Sequence, residues 1–265
     1  MFVFVQVCTF VPDWFDRRIT PDTFRLFGKR APAIEAAKQY VDQVKDSLDV
    51  SEYRERIADD AQIPQHSREE WREATDTTIA ELDKKCREPK RLLFFKNAVY
   101  ETTYNDPSKK ERFSHSQKAV LLDIPRQEDL ISFRPIILFV PPIGLKNVFF
   151  DPDKDKATYQ MEGWKEVKIG TPIERTQYIK NYVQARRKQY GLKHYFNSTI
   201  HASMGETLHK VAIEISDNGL WDKAQVVVAC SRTKLGVNTI FVGEKVCKIL
   251  VLFFHFFMMH VLYFI

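Results

Sequence analysis

The sequence predicts an α/β protein with an inserted α+β subdomain and an apolar carboxyl-terminal tail. Thr23–Leu48 combines a strand pattern, a turn at Gly28 and helically spaced apolar residues, and residues 211–215 and 239–242 have strand patterns. Between these regions, residues 49–170 pass from a charged stretch to short β-rich runs. The 44% hydrophobic content can bury a core, and nine glycines without a low-complexity tract exclude collagen-like and disordered chains.

Length and charge set further limits. The 265 residues are sufficient for one large or two modest domains. A formal net charge of +5 is mildly basic and spread along the chain, so it permits an anionic partner without requiring one. The cysteines form no C-x-x-C pair and the histidines have no metal-ligand spacing, so we predict no structural metal and a reducing compartment. These cysteines are Cys8, Cys86, Cys230 and Cys247.

The amino-terminal region is expected to open with a buried strand and to continue into a β-turn-α unit. Residues 1–12 are apolar but lack the basic start and small-residue cleavage site of a secretory leader, so a buried strand is favoured over a leader. Thr23–Arg30 has the pattern of a short strand that runs into the turn at Gly28. Ala31–Leu48 places apolar side chains on one face, which predicts a helix.

The middle of the chain predicts two solvated helices followed by a small β-rich region. Residues 49–91 are strongly charged, and Ser67-Arg-Glu-Glu has the spacing of a capping box. From Leu92 to Phe150, short β-rich runs are separated by turn clusters such as Asn105-Asp-Pro-Ser. The runs are Leu92-Leu-Phe-Phe, Ala119-Val-Leu-Leu and Pro135-Ile-Ile-Leu-Phe-Val.

A basic segment extends from Arg175 to Tyr195. Such a cluster favours salt-sensitive binding to nucleic-acid phosphates, and an exposed helical face is the structural alternative. The candidate contacts in this segment are Arg186, Arg187, Lys188 and Lys193.

The carboxyl-terminal region predicts two strands and an apolar tail. Val211–Ile215 alternates like a half-buried strand, and Thr239–Val242 predicts a final strand. Ile249–Ile265 is apolar except for His255 and His260 and is slightly short of the roughly 20 residues that a membrane span needs. It fits a membrane anchor, a buried element or a non-native tail, and the last of these is favoured because no polar flank follows.

Two short stretches carry candidate chemistry. Thr199-Ile-His-Ala-Ser-Met-Gly205 places hydroxyls, a histidine and a glycine in a turn between apolar strands, which suits phosphate contact; a capped turn with a structural histidine is the alternative. Arg232 follows the apolar run Val226-Val-Val-Ala-Cys, where it could serve a ligand or act as a structural ion-pair partner.

The order and separation of these stretches resemble the last two motifs of superfamily-one DNA helicases of the PIF/RecD type. Thr199-Ile-His-Ala-Ser-Met-Gly-Glu-Thr-Leu is similar to that family's T-I-H-x-x-Q-G-x-T-L, and Gln225-Val-Val-Val-Ala-Cys-Ser-Arg is similar to Q-x-Y-V-A-x-S-R. The resemblance covers about residues 20–245. Three further stretches resemble helicase-like proteins related to Helitron transposon helicases: Phe113-Ser-His-Ser-Gln, Arg187-Lys-Gln-Tyr-Gly-Leu-Lys-His-Tyr and Trp221-Asp-Lys-Ala-Gln.

The resemblance implies roles for individual residues. Arg232 matches the arginine that stabilises charge on the γ-phosphate of ATP during hydrolysis, and Gln225 matches the glutamine that helps to place that arginine. The preceding motif implies contacts to the backbone of single-stranded DNA, or of RNA, which position a strand without reading its sequence. The residues that match that motif are Thr199, His201, Ser203, Gly205 and Thr207.

The resemblance also implies an organisation around an incomplete RecA-like parallel-sheet domain. Residues 1–48 would open the second RecA-like domain of a helicase, and residues 171–245 would complete it. Residues 49–170 would form the inserted subdomain, and residues 246–265 would form the hydrophobic tail. A nuclear location is favoured over a cytoplasmic one, and membrane association through the tail is not favoured.

Three departures from the family pattern bear on activity. Met204 stands where the family has glutamine, and a thioether is a weak hydrogen-bond acceptor. The resemblance implies a helix around Gln225–Thr233, whereas the β-branched run within it favours a strand. No G-x-x-x-x-G-K-[S/T] phosphate loop is present, since the only Gly-Lys is Gly28-Lys29, and Lys29 or Arg30 fits a solvated turn better than a second nucleotide cation.

The leading hypothesis is therefore the carboxyl-terminal part of an ATP-dependent DNA helicase that is inactive as an isolated chain. ATP and Mg²⁺ are expected only if a P-loop domain, the missing amino-terminal RecA-like partner, is supplied elsewhere. A nucleic-acid-binding module without ATPase activity is the second hypothesis, and a tail-anchored interaction protein is the third.

Overall fold

The computed structural model describes residues 23–63, 70–108, 112–143, 150–170, 172–179, 183–214, 223–233 and 239–242. In chain order the elements are β1 (Phe24–Phe27), α1 (Arg30–Ser47), β2 (Tyr53–Ile57), β3 (Asp59–Ile63), β4 (Arg72–Glu73), α2 (Asp76–Lys85), β5 (Arg91–Phe95), β6 (Val99–Thr102), β7 (Lys118–Val120), α3 (Gln127–Ile131), β8 (Ile136–Val140), α4 (Lys156–Met161), β9 (Lys165–Ile169), β10 (Pro172–Tyr178), β11 (Gln184–Tyr190), β12 (Leu192–His194), β13 (Asn197–Thr199), β14 (Val211–Glu214), α5 (Lys223–Cys230) and β15 (Thr239–Val242). The described residues form two compact units. Unit 1 comprises the described residues within 1–33 and 196–265, and unit 2 those within 34–195.

Unit 1 contains a four-stranded parallel sheet in the order β13-β1-β14-β15. On β1, Phe27 pairs with Thr199 of β13 on one side and with Glu214 of β14 on the other. A parallel strand that is covered on both faces buries consecutive residues, and the first three residues of β14 are all fully buried. The strand predicted at Val211–Ile215 is therefore present, but its half-buried alternation is wrong.

The local predictions for unit 1 are otherwise confirmed. β1 runs into a bend at Gly28, and α1 follows it directly, as the β-turn-α pattern predicts. Lys223–Cys230 is a helix, so the resemblance was a better guide there than the strand preference of the β-branched run. The final strand at Thr239–Val242 is also present.

Unit 2 is built from antiparallel strands. Its larger sheet has the order β12-β6-β7-β8-β9, a second has the order β10-β11-β3-β4, and β2 pairs with β5. The main core of this unit includes Leu92, Phe94, Tyr100, Leu138 and Tyr190, all of which are fully buried. The three predicted β-rich runs are confirmed as β5, β7 and β8. The mixed α+β character that was expected of the insertion is thus present.

The prediction of two solvated helices in residues 49–91 is wrong. The described residues of this stretch form β2, β3 and β4 and one helix, α2. The amino end of α2 is capped by the Thr75 hydroxyl, which accepts from the Thr78 N–H at 3.4 Å. The many charged residues of this stretch favoured exposed helices. Instead, β2 pairs with the apolar β5, and β3 pairs with β11. Tertiary pairing thus overrides local preference. Ser67 of the predicted capping box lies outside the described residues.

The boundary expected at residues 170 and 171 also needs correction. Strand β11 pairs with β3 of unit 2, with Arg187 opposite Asp60, so the basic segment belongs to the same unit as the charged stretch. The structure divides the chain between Tyr195 and Phe196 instead. The calls on residues 1–12 and 246–265 lie outside the described residues. Within the described ranges, every helix is too short or too polar to cross a membrane.

Candidate functional site

The first motif forms a compact turn at the end of β13. Ile200 donates its N–H to the Phe27 carbonyl at 2.9 Å, which fixes the start of the turn to the sheet. The chain then closes on itself, with the Ser203 N–H donating to the Thr199 carbonyl at 3.1 Å and the Glu206 N–H donating to the Ser203 carbonyl at 3.0 Å. The sequence prediction of a turn between two strands is thus correct.

The hydroxyl groups of this turn stabilise it from within. Ser203 is buried, with 1% of its surface exposed, and its hydroxyl donates to the Ile200 carbonyl at 2.9 Å. The half-buried Thr199 hydroxyl accepts from the Ala202 N–H at 3.3 Å. Because its hydroxyl is enclosed and engaged, Ser203 does not fit the predicted side-chain contact to DNA, and we correct its role to a structural one. Thr207, the other predicted hydroxyl, is half-buried.

The outer face of the turn includes His201, Met204 and Gly205, next to the exposed Ala202. His201 and Gly205 are exposed, and Met204 exposes 55% of its surface. Gly205 has φ +85°, a left-handed conformation that residues with a Cβ adopt at a cost, although a Cβ there would meet no atom within 4 Å. The face that is open to a ligand is therefore made by these three residues rather than by the serine.

Arg232 follows helix α5 and reaches back to this turn. Its Nε donates to the Val228 carbonyl at 3.0 Å, and its Nη2 donates to the Ser231 hydroxyl at 2.6 Å. Its Nη1 donates to the carbonyls of Ser203 and Glu206 at 3.4 and 3.5 Å. Within the described part of the chain, no carboxylate lies within ion-pair distance of this guanidinium, so its charge is solvated by dipoles only.

The backbone joins the two motifs as well. The Leu208 N–H donates to the Arg232 carbonyl at 2.7 Å, and Leu208 forms a parallel bridge with Thr233. The hydroxyls of Thr233 and Thr239 lie 2.7 Å apart, which ties this segment to β15. Gln225, the other residue of the second motif that was singled out, is half-buried near the start of α5. The structure therefore brings together the two motifs that are well separated in the sequence.

The cations of the basic segment lie on strands of unit 2. Arg186 stacks over the ring of Trp71, with 4.3 Å from its guanidinium carbon to the ring centre, and its Nη1 lies 3.3 Å from a Glu174 carboxylate oxygen. The Lys188 ammonium lies 5.1 Å from the centre of the Phe133 ring. Both cations are half-buried in a strand, so the alternative of an exposed helical face is wrong.

Arg187 has a structural role. Its surface is fully buried, and its guanidinium donates to both carboxylate oxygens of Asp60 at 2.9 and 2.8 Å. Asp83 lies 2.8 Å from the same group, and the Glu88 carbonyl accepts a further hydrogen bond at 3.2 Å. A guanidinium without exposed surface cannot reach a DNA strand, so the predicted contact through Arg187 is corrected.

The remaining candidate cations and metal ligands contribute little to the motif turn. Lys29 is half-buried and Arg30 is exposed at the start of α1. Glu214 at the end of β14 accepts from Nε of Arg25 at 2.8 Å. The described ranges contain no cluster of three His, Cys, Asp or Glu residues that could hold a metal.

Burial raises the pKa of the Cys86 and Cys230 thiols to about 11, so neither is a nucleophile at neutral pH.

Sequence reasoning missed the main-chain acceptors that hold Arg232. The carbonyls of Ser203 and Glu206 leave no side-chain signal, because every residue has such a group. It also missed the buried acids Asp60 and Glu88, which were part of a stretch assigned to solvated helices. A charged residue within a strand pattern opposite a basic strand is the signal that could have found Asp60.

Two solved structures share the fold of this chain. The crystal structure of Pif1 helicase from Candida albicans superposes with a TM-score of 0.52, at 15% identity, over 93% of this chain and 52% of that chain. The crystal structure of Bacteroides Pif1 bound to ssDNA superposes with a TM-score of 0.50, at 14% identity, over 85% of this chain and 41% of that one. No protein-family model and no curated protein sequence matches the chain.

The chain spans about half the length of the helicase structures that it matches. At such low identity the likeness establishes the fold alone. The chain therefore has part of a helicase-like fold, with a RecA-like parallel sheet in unit 1 and antiparallel sheets in unit 2.

Proposed function

We propose that the chain is the carboxyl-terminal portion of an ATP-dependent DNA helicase of the Pif1 type. Unit 1 is its second RecA-like domain, and unit 2 is the insertion in that domain. One observation carries the proposal: the guanidinium of Arg232 is bound by main-chain carbonyls of the turn that the first motif forms. The guanidinium that would contact ATP and the turn that would contact DNA are thus parts of one structural element.

The proposed role of Arg232 is to stabilise charge on the γ-phosphate during hydrolysis. Carbonyl oxygens orient a guanidinium without neutralising it, so its positive charge stays available to an anion. Arginine groups that act in this way contribute about 10³–10⁵ in rate. Lysine would not replace Arg232, because a planar fork can donate to two phosphate oxygens at once and an ammonium cannot.

The proposed strand contact is the outer face of the motif turn. His201 presents a polar ring to solvent there and Met204 an apolar side chain, and the absence of a side chain at Gly205 lets a strand approach the backbone closely. Single-stranded DNA is supported as a partner because the Bacteroides Pif1 neighbour is bound to ssDNA. A DNA strand that moves on this turn would act on Arg232 through the Ser203 and Glu206 carbonyls.

The fit of the nucleotide and the metal to these residues differs. Arg232 suits a triphosphate, as a partly exposed cation without a carboxylate partner in the described part of the chain. The described residues offer no cluster of metal ligands, and the sequence has no phosphate loop. We therefore assign the binding of ATP and Mg²⁺ to a separate RecA-like domain, without which this chain does not hydrolyse ATP. The relation to Helitron helicases and a nuclear location belong to the same proposal.

ATP hydrolysis by the purified chain, with and without single-stranded DNA, tests this assignment. The expected result is DNA binding without turnover, because the phosphate cradle is missing. DNA-stimulated turnover that survives Arg232→Ala would contradict both the assigned inactivity and the assigned role of Arg232.

A nucleic-acid-binding module without ATPase activity is the second candidate, and the stacking of Arg186 on Trp71 favours it. An aromatic ring beside a cation is a platform on which bases stack. Lys188 supplies a second half-buried cation on the same strand. In this case Arg186→Glu weakens the binding of a labelled oligonucleotide and reduces its salt dependence. Binding that is indifferent to salt and to this change excludes the module.

A further inference from the structure

Unit 2 contains a cavity of about 420 Å³ whose lining is cationic. It lies at the end of α2, beside the loop that follows β6, the loop that precedes β7, and β10. Its volume is in the range of small-molecule sites, which is roughly 300–1,000 Å³. The lining includes Lys85, Arg87, His115 and Arg175, and none of the lining residues is acidic.

Arg87 and His115 form a pair of basic groups without a counter-ion. Nη1 of the exposed Arg87 contacts Nε2 of His115, and no carboxylate of the described chain lies within ion-pair distance of this guanidinium. Because a guanidinium cannot accept a hydrogen bond, the His115 nitrogen must be the acceptor, which keeps the ring neutral. Burial, together with the Arg87 charge, lowers the pKa of His115. An anion in the cavity would supply the counter-ion to Arg87 and would favour protonation of the His115 ring.

Arg175 is oriented toward the cavity by a buried acid behind it. Its Nε and Nη2 donate to the Glu88 carboxylate at 3.3 and 3.1 Å, and Nη2 also donates to the Thr103 carbonyl at 3.2 Å. The Thr103 hydroxyl donates to the same carboxylate at 2.6 Å, which fixes the acid. The other terminal nitrogen, Nη1, has no acceptor within the described part of the chain. One edge of this guanidinium is thus fixed by protein while another remains available to a ligand.

The loop that carries His115 is held in place before any ligand binds. The Asn105 side-chain oxygen accepts the His115 N–H at 2.7 Å. The nearly buried Asp106 carboxylate accepts from Nε of Arg112 at 2.9 Å, which closes the loop. A site whose groups are already ordered loses little entropy when a ligand binds.

We propose that this cavity binds the phosphate group of a nucleotide. The Arg87 and Arg175 guanidinium groups can donate hydrogen bonds to phosphate oxygens. Glu88 offsets the charge of Arg175, so Arg87 and the exposed Lys85 supply the positive charge of the lining. The phosphate could belong to a free nucleotide or to a nucleic-acid strand. The site goes beyond the function proposed above, because none of its residues belongs to the motif turn or to Arg232.

The test compares phosphate ligands on the full chain and two matched variants. AMP and inorganic phosphate are titrated by calorimetry, and a labelled oligothymidylate is titrated by fluorescence anisotropy. Arg87→Glu reverses an exposed charge of the cavity that has no carboxylate partner. Lys84→Glu is the control, since Lys84 is also exposed and lies on α2 but outside the cavity, where it pairs with Glu81. Lys85→Glu is the second cavity variant, and circular dichroism verifies that all variants fold.

The expected result is that AMP and phosphate bind the parent chain and that Arg87→Glu and Lys85→Glu weaken them by about tenfold or more, while Lys84→Glu does not. If AMP does not bind but both cavity variants weaken the oligonucleotide by the same factor, the phosphate belongs to a strand. The proposal is overturned if no probe binds, or if the cavity variants and Lys84→Glu bind every probe alike. AMP has no γ-phosphate for Arg232 to contact, and the proposed function is measured by ATP hydrolysis, so failure here is separable from failure of the proposed function.

Discussion

One arginine in unit 2 and one in unit 1 have opposite surroundings. In unit 2, Arg187 is fully buried and donates to both oxygens of Asp60, with Asp83 at 2.8 Å. In unit 1, Arg232 is partly exposed and donates to carbonyls and one hydroxyl, at distances of 2.6 to 3.5 Å. The first arginine has its charge matched inside the protein, and the second has no carboxylate partner among the described residues.

In the function proposed here, this difference separates a structural arginine from one that binds a ligand. A buried ion pair that loses one partner leaves an uncompensated charge, so such a pair is indispensable to the fold without doing chemistry. An arginine oriented by dipoles keeps its charge for an anion. Both residues were predicted as functional from the sequence, and only the surroundings distinguish them.

The largest expected effect is on the stability of unit 2. Arg187→Met leaves the buried Asp60 with Lys90, at 3.2 Å, as its remaining ion-pair partner in the described part of the chain, and should lower the free energy of unfolding by about 3–5 kcal/mol. Urea denaturation followed by tryptophan fluorescence measures this loss. Arg186→Met on the same strand is the control, because its pair with Glu174 is partly exposed and should contribute less than about 1 kcal/mol. Equal losses of stability for Arg187→Met and Arg186→Met would contradict a special structural role for Arg187.

Acid should weaken unit 2 through His194. Burial lowers the pKa of this histidine to about 4, while its ring accepts the Leu93 N–H at 3.2 Å. The unfolded chain takes up a proton below about pH 6.5 and the folded chain only near pH 4, so stability falls by about 3 kcal/mol as pH drops through this window. Denaturation curves at a series of pH values test this. His194→Gln keeps an acceptor but does not titrate, so the slope in this window should become flatter, and an unchanged slope would exclude His194 as its source.

A smaller effect is expected in unit 1 at Gly205. Alanine there must adopt φ +85° but meets no neighbouring atom, so Gly205→Ala should cost about 1 kcal/mol from conformation alone. Thermal unfolding measures the loss. Ala202→Gly in the same turn is the comparison, because an exposed alanine there has no φ requirement of this kind. A loss of several kcal/mol at Gly205 would mean that the turn is packed more tightly than described.

The smallest effect on stability is expected at Met204. Its side chain is 55% exposed, so Met204→Gln should change the free energy of unfolding by less than about 0.5 kcal/mol. Glutamine restores the family pattern at this position and supplies a polar group on the outer face of the turn. Fluorescence anisotropy with labelled single-stranded DNA should therefore show tighter binding than the parent chain. Weaker binding would indicate that the thioether itself contacts the strand.

Local patterns gave most of the fold correctly. The β-turn-α unit from Thr23, the strands β5, β7 and β8, and the turn at Thr199–Gly205 follow from apolar periodicity and turn residues, which act over a few positions. The charged stretch of residues 49–91 was misread because its strands are stabilised by partners distant in sequence, β5 and β11. The neighbouring residues of a highly charged strand contain no pattern that distinguishes it from an exposed helix.

The site was predictable in part for the same reason. The motif resemblance identified Arg232 and the turn, and the structure joins them. The sequence could not separate the buried Arg187 from its half-buried neighbours. Successive side chains of a strand point to opposite faces, so the buried set can be assigned only after the segment is known to be a strand. The cationic cavity was also missed, since its residues come from four segments that only the tertiary fold brings together.

The central claim is that Arg232 acts on a triphosphate held by another domain, and one measurement tests it directly. The chain is fused behind the amino-terminal RecA-like domain of a Pif1 helicase, and DNA-stimulated ATP hydrolysis by the active fusion is compared with that of its Arg232→Lys variant. The account predicts that kcat falls by about 10³ with DNA binding retained, while Arg186→Lys leaves kcat unchanged. Hydrolysis by the Arg232→Lys fusion at the parent rate would contradict it.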